Sequence, residues 1–261
     1  MPTGRVLTST LKCLALLEVV AESPGPIGVS ELARMTNAGR GTVHQQLSTL
    51  VEAGWVERIE GGSYRLTLRA TRIGHHALEQ ANLGERIRPG LEALAESTGE
   101  AVSVAVLDGT EALIVQRVES GKVLRAGLGV GTHMPLATSA TGRVLVAFSS
   151  PGSIEVLRRQ GANLPAEDVL AKVREDGFAI AVDEYMEEIS AVSAPLFDQS
   201  GSIVAALSLA SPTTRFARDA SLASVLAAAA DVNAVLRGDA RRSVPRTEGR
   251  RIPTIKHPLS T

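Results

Sequence analysis

The sequence predicts an α+β protein in two parts: an N-terminal winged helix-turn-helix, and a larger C-terminal domain around a central antiparallel sheet. Three observations carry that reading. Residues 27–65 hold two short amphipathic helices, a tight turn and an alternating hairpin. The apolar pattern then switches from helical steps of three and four to strict alternation at Glu100. Later alternating runs follow at hairpin spacing until an alanine-rich helix ends the pattern. At 261 residues the chain exceeds one typical domain of ~100–150, and 44% apolar content supplies two cores. The expected layout is a winged domain at 1–70, a linker helix at 71–85, the sheet domain at 86–237 and a basic, disordered tail at 238–261.

In chain order, Leu7, Leu11, Leu14, Leu17 and Val20 trace a helical stripe for a supporting first helix. The same region mimics a secretion signal, but Glu18 interrupts its apolar run and no clean cleavage pattern follows. The helix-turn-helix opens with Ser30-Glu31-Leu32-Ala33-Arg34-Met35, where Leu32, Ala33 and Met35 form the buried side. Asn37 and Gly39 tolerate the left-handed backbone of a tight inter-helix turn. In the second helix Val43, Leu47, Leu50 and Val51 make the apolar stripe, leaving Gly41, Thr42, Gln45, Ser48 and Thr49 opposite. That opposite face is small, uncharged and rich in hydrogen-bonding groups, as a helix lying in a major groove requires. Gly61-Gly62 turns the following hairpin, and Arg58 and Arg65 stand beside it within reach of phosphates. A protein-docking module would show apolar anchors on the exposed helix face instead. The candidate DNA-contacting set is therefore Arg40, Gly41, Thr42, His44, Gln45, Gln46, Thr49, Arg58 and Arg65.

Residues 68–98 read as mostly helical, with Pro89 tolerated in a first turn. Strands are expected at 101–107, 112–118, 123–126, 178–182, 190–197 and 203–209, with turns at Asp108-Gly109 and at 198–201. Helices are expected at 141–148, 154–159, 168–176 and 222–236.

Charge divides by segment. Residues 1–75 carry net +2, residues 76–236 net −8 and residues 237–261 net +5. Nucleic-acid affinity comes largely from phosphate neutralisation, so the acidic middle is a poor DNA surface and one winged domain a modest one. Pairing two copies on a two-fold operator doubles the contacts. One cysteine forms no internal disulfide, no stretch approaches the ~18–20 apolar residues of a membrane helix, and a cytoplasmic location is expected.

Other chemistry finds little support. Gly127, Gly129 and Gly131 have the wrong spacing for a dinucleotide loop, and Pro135 separates them from the next helix. His75-His76 point to different sides of a helix with no third ligand at metal spacing, so no metal and no cofactor are expected. Asp183, Glu184, Glu187 and Glu188 form a carboxylate cluster that reads as a solvated or structural rim. An enzyme would need a nucleophile, a base and an orienting group. Cys13, Ser139 and the five histidines supply no such set.

Over residues 7–236 the chain resembles the IclR family of transcriptional regulators. The carrying pieces are Leu32-Ala33 through Thr42-Val43-His44 to Gly54, then Tyr64-Arg65-Leu66 and Leu94-Ala95-Glu96-Ser97-Thr98-Gly99-Glu100. They continue with Pro135-Leu136, Ser139-Ala140-Thr141-Gly142-Arg143, Arg174-Glu175-Asp176-Gly177-Phe178, Ala194-Pro195-Leu196-Phe197-Asp198, Ser211-Pro212 and Arg215. The resemblance implies a winged helix that binds double-stranded operator DNA, and a C-terminal domain similar to GAF sensor folds that binds a small-molecule effector. It also implies a homodimer or dimer of dimers that represses or activates depending on the member, with repression expected here. Carried over position by position, the effector pocket is Val123, Ala140, Thr141, Ile189, Ala191, Ser208 and Ala210. The start of the helix at Ala140 offers backbone N–H groups to a carboxylate, and Thr141 and Ser208 add hydroxyls. The effector expected is an organic acid or aromatic metabolite. Ala181 and Ala191 replace more polar residues of the family and favour an apolar body. Gln45 stands where the family often has Arg and Gln46 where it often has Leu. Glutamine can pair bidentately with adenine.

Overall fold

The computed structural model describes residues 6–119 and 128–238. The described residues divide into two compact units on either side of the Glu85–Arg86 bond. The first holds α1 (Thr8–Glu22), α2 (Val29–Met35), α3 (Arg40–Glu52), the hairpin β1 (Val56–Arg58) and β2 (Tyr64–Leu66), and α4 (Arg69–Gln80). Leu32, Val43 and Leu47 are fully buried at its centre, joined by Leu16, Val20, Ile27, Leu50, Val56 and Tyr64. Ile27 and Tyr64 exchange two backbone hydrogen bonds of 2.9 and 2.8 Å, which ties the wing's second strand to the segment before α2. Asn37 takes the left-handed conformation at φ 48°, whereas Gly39 caps α3 in extended geometry. Gly61 and Gly62 both lie at positive φ and turn the hairpin.

The α1 stripe needs correction. Leu7, Leu11 and Leu14 are exposed, and the helix buries Leu16 and Val20 with Cys13 and Leu17 partly covered. Each three-residue step falls about 60° short of a full turn, so a run of such steps drifts off the buried face. Met35 and Val51 are likewise exposed, at the ends of α2 and α3.

The second unit holds α5 (Arg88–Thr98), β3 (Ala101–Asp108), β4 (Glu111–Val118), β5 (His133–Pro135), α6 (Ala140–Phe148), α7 (Pro151–Arg159) and α8 (Glu167–Asp176). It continues with β6 (Ala179–Val182), β7 (Ile189–Phe197), β8 (Ile203–Pro212) and α9 (Arg218–Arg237). The sheet order is β5-β4-β3-β8-β7-β6, antiparallel at every pairing. The expected strand at 123–126 lies outside the described residues. The described edge strand is instead β5, which its proline disguised; proline is at home on a sheet edge.

The two faces of this sheet differ in side-chain size. Register puts Ala191 opposite Ala210, Ser193 opposite Ser208 and Ser103 opposite Ser208, so small residues share one face. That face lies beneath α6, whose residues Ala140 to Ala147 are buried apart from Arg143. The alternate positions Val102, Val104, Val192, Leu207 and Leu209 are large and fully buried, and they face α5 and α9. The small-residue face is what leaves room for a cavity.

At 20 residues, α9 is long and apolar enough to cross a bilayer, the one such helix among the described residues and an exception to the sequence expectation. Its buried stripe of Val225, Ala229, Val232 and Leu236 packs inside the unit instead. Asn233 fastens it: Phe197 N–H donates to Asn233 Oδ1 at 2.6 Å, and Asn233 Nδ2 donates to Pro195 O at 3.1 Å. Asn233→Leu strips partners from one buried and one partly buried backbone group. It is expected to cost the C-terminal domain about 2–4 kcal/mol in chemical unfolding.

Candidate functional site

The helix α3 presents one continuous polar surface. Arg40, Gly41, Thr42, His44, Gln45, Ser48 and Thr49 are exposed, Gln46 is half-buried, and Val43, Leu47 and Leu50 hold the opposite side in the core. Ser48 Oγ donates to His44 O at 2.9 Å and Thr49 Oγ1 to Gln45 O at 3.0 Å, so both hydroxyls keep free acceptor lone pairs. The Thr42 and Gln45 side chains make no hydrogen bond within the described residues and remain available to base edges. Arg40 reaches back to Ser30 Oγ, which steadies it at the helix start. In the wing, Arg58 is exposed beside the Gly62 backbone, and Arg65 pairs with Glu57 at 2.7 Å while remaining more than half exposed.

The second unit contains a small cavity of about 40 Å³ between the N-terminal end of α6 and the small-residue face of the sheet. The structure brings six of the seven expected pocket residues around it: Ala140 and Thr141 from α6, Ile189 and Ala191 from β7, Ser208 and Ala210 from β8. Val123 lies outside the described residues. Ser139 builds the helix start, its hydroxyl donating to Pro135 O at 2.7 Å and accepting from Gly142 N–H at 3.0 Å. At its present volume the cavity holds a few waters, so a ring-sized ligand enters only if the lining moves.

Sequence reasoning missed several lining residues, chiefly Ser103, Arg117, Met134, Tyr185 and Met186. A charge inside the apolar run of β4 was the available signal for Arg117, since Arg117 stands opposite Ser103 on the cavity's face. Tyr185 comes from the loop after β6, where Asp183 and Glu188 both take positive φ. Its hydroxyl donates to His133 O at 3.4 Å. Burial, with Glu111 nearby, holds the Tyr185 phenol above its ordinary value. The carboxylate cluster on this loop is tied down structurally. Arg143 on α6 donates to Glu184 and to the carbonyls of Ala137 and Ile180, and Thr213 donates to Asp183 at 2.6 Å.

A family model described as the C-terminal part of the bacterial transcriptional regulator IclR matches residues 75–234, well over half the chain. The chain belongs to the IclR family. A second model, described as the IclR helix-turn-helix domain, matches residues 9–60. Among IclR-related proteins, the DNA-binding transcriptional repressor YiaJ of Escherichia coli (strain K12) is 30% identical over 222 residues, 79% of each chain. The transcriptional repressor IclR of the same organism is 29% identical over 231 residues, 83% of this chain and 84% of its own. A crystal structure of an IclR homolog complexed with 4-hydroxybenzoate, from Microbacterium hydrocarbonoxydans, superposes with a TM-score of 0.77. It covers 88% of this chain and 100% of its own at 21% identity, a likeness of fold alone. Membership of the IclR family makes the first unit a DNA-binding helix-turn-helix and the second the C-terminal domain of a transcriptional regulator, not of an enzyme.

Proposed function

We propose that this IclR-family protein is a cytoplasmic repressor that binds a palindromic operator as a homodimer or dimer of dimers. Arg40, Gly41, Thr42, His44, Gln45, Gln46 and Thr49 meet the major groove, and Arg58 and Arg65 meet flanking phosphates. A small organic acid or aromatic metabolite, held by Ala140, Thr141, Ile189, Ala191, Ser208 and Ala210, changes the affinity for DNA. The observation that carries this reading is the exposed, uncharged face of α3, free of internal hydrogen bonds at Thr42 and Gln45. Dimer formation is supported by the modest charge of one winged domain, and by Leu7, Leu11 and Leu14, which a single copy leaves uncovered on α1. Repression is supported by the named roles of the relatives, and the effector by the complex of the Microbacterium homolog. Ligand shifts DNA binding only through its differential affinity for two arrangements of the dimer, a coupling of typically ~1–3 kcal/mol.

The test is a mobility-shift titration on an operator recovered by footprinting upstream of the protein's own gene. Gln45→Ala is expected to lose ~1–3 kcal/mol on that operator and almost nothing on an unrelated duplex. Equal losses on both duplexes would remove the base-reading role.

A further inference from the structure

We propose that Arg117 is the anion receptor of the C-terminal cavity, and that the ligand it selects is a monocarboxylate with an apolar body. This rests on the reading of the cavity as an effector site and adds the charge and valence of the ligand. The Arg117 side chain is only 4% exposed. Its Nε donates to Glu119 Oε1 at 2.8 Å, but its Nη1 is buried with no hydrogen-bond partner. A guanidinium nitrogen in that condition carries a desolvation penalty that the Glu119 pair at Nε does not relieve, and native structures seldom tolerate one without a functional reason.

The surroundings show what would satisfy it. Cross-strand register aligns Arg117 with Ser103 and Ser103 with Ser208, so the guanidinium and two hydroxyls share one row on the cavity's face. Helix α6 begins at the same cavity. Its Gly142 amide is taken by Ser139 Oγ and its Arg143 amide by Ser139 O, which leaves Ala140 and Thr141 N–H before the first intrahelical acceptor. A carboxylate has two oxygens, one to accept from Nη1 and one from these amides or hydroxyls. Among the described residues the cavity lining contains no aspartate or glutamate, and Glu119, outside it, bonds only Nε. Among the described residues the lining also contains one cation only, so a second carboxylate on the ligand would find no further partner among them. Met134, Met186 and Ile189 receive the rest of the molecule, and the methyl-sized Ala191 and Ala210 give it room.

Calorimetric titration of the full chain tests this with isobutyrate and benzoate, each against its neutral amide, isobutyramide and benzamide. Both acids are expected to bind at least tenfold more tightly than their amides. Arg117→Gln is expected to weaken the acids roughly 10- to 100-fold and leave the amides unchanged. Ala210→Leu fills the space and is expected to abolish binding of acids and amides alike. Arg117→Met is expected to melt at or above the wild-type temperature, because the lost pair with the half-exposed Glu119 returns less than burying the unpartnered Nη1 costs. Acid and amide binding equally, unaffected by Arg117→Gln, would overturn charge selection while the cavity reading stands. Binding that survives Ala210→Leu would overturn both. No heat from any of the four probes, or a markedly lower melting temperature for Arg117→Met, would also overturn the proposal.

Discussion

Leu47→Ala is expected to cost the N-terminal domain about 2–5 kcal/mol and to abolish operator binding. Leu47 is fully buried on α3 between Leu32, Val43 and Leu50, the residues that fix how the two helices of the motif cross. Truncation removes the transfer energy of three carbons and leaves a void that a small domain cannot readily collapse. Domains of this size have only ~5–15 kcal/mol of total stability, so the loss is a large fraction of the whole. Because α3 carries the proposed groove-facing residues on its other side, loosening the core also loosens their geometry. The C-terminal domain has its own core, centred on α6 and the sheet, and shares none of these contacts. Circular-dichroism melting should therefore show one early transition and one unchanged transition. Ligand titration should give wild-type affinity while mobility shift shows none.

Gly142→Ala is expected to destabilise the C-terminal domain by about 1–3 kcal/mol or more and to eliminate ligand binding. Helix propensity alone would favour alanine by roughly 1 kcal/mol, since Gly142 lies within α6. Sterics decide the other way. A Cβ at this position would stand 2.5 Å from Leu136 Cα, 2.7 Å from Leu136 O and 2.8 Å from Pro135 O. These are backbone atoms that have no rotamer to escape into, so α6 itself must shift. Its displacement moves Ser139, Ala140 and Thr141 away from the cavity they help to form. The contrasting substitution is Gly74→Ala in α4, where a Cβ meets nothing within 4 Å. There only the propensity acts, and a gain of up to about 1 kcal/mol is expected. Chemical denaturation of both variants separates the two effects.

The helix-turn-helix was legible in the sequence because its signals are local and agree. The Val43, Leu47 and Leu50 spacing, the left-handed Asn37 and the Gly61-Gly62 turn each report on neighbours within a few residues. The α1 stripe was harder, since leucines occur on both sides of that helix and periodicity alone did not choose between them. In the C-terminal domain the long strands announced themselves by alternation. The strand β5 did not, being three residues long and ending in proline. Six cavity residues could be placed because the motif around Ser139 to Arg143 and the last two strands could be carried over from a family. Arg117 could not, because its significance lies in what it lacks: only the packed structure shows that Nη1 is buried without a partner. Likewise the contrast between the two sheet faces needed the register of β3, β7 and β8 before it could be seen.

Whether the exposed side of α3 reads base edges is decided by selecting bound sequences from a random duplex pool with the wild-type chain and with Gln45→Ala. A two-fold symmetric consensus is expected, with half-site centres about one helical turn apart or a multiple of it. The variant is expected to lose base preference at one position in each half-site and to keep the rest. A consensus identical for both proteins, or no enrichment over the starting pool with the wild-type chain, would contradict base reading by α3.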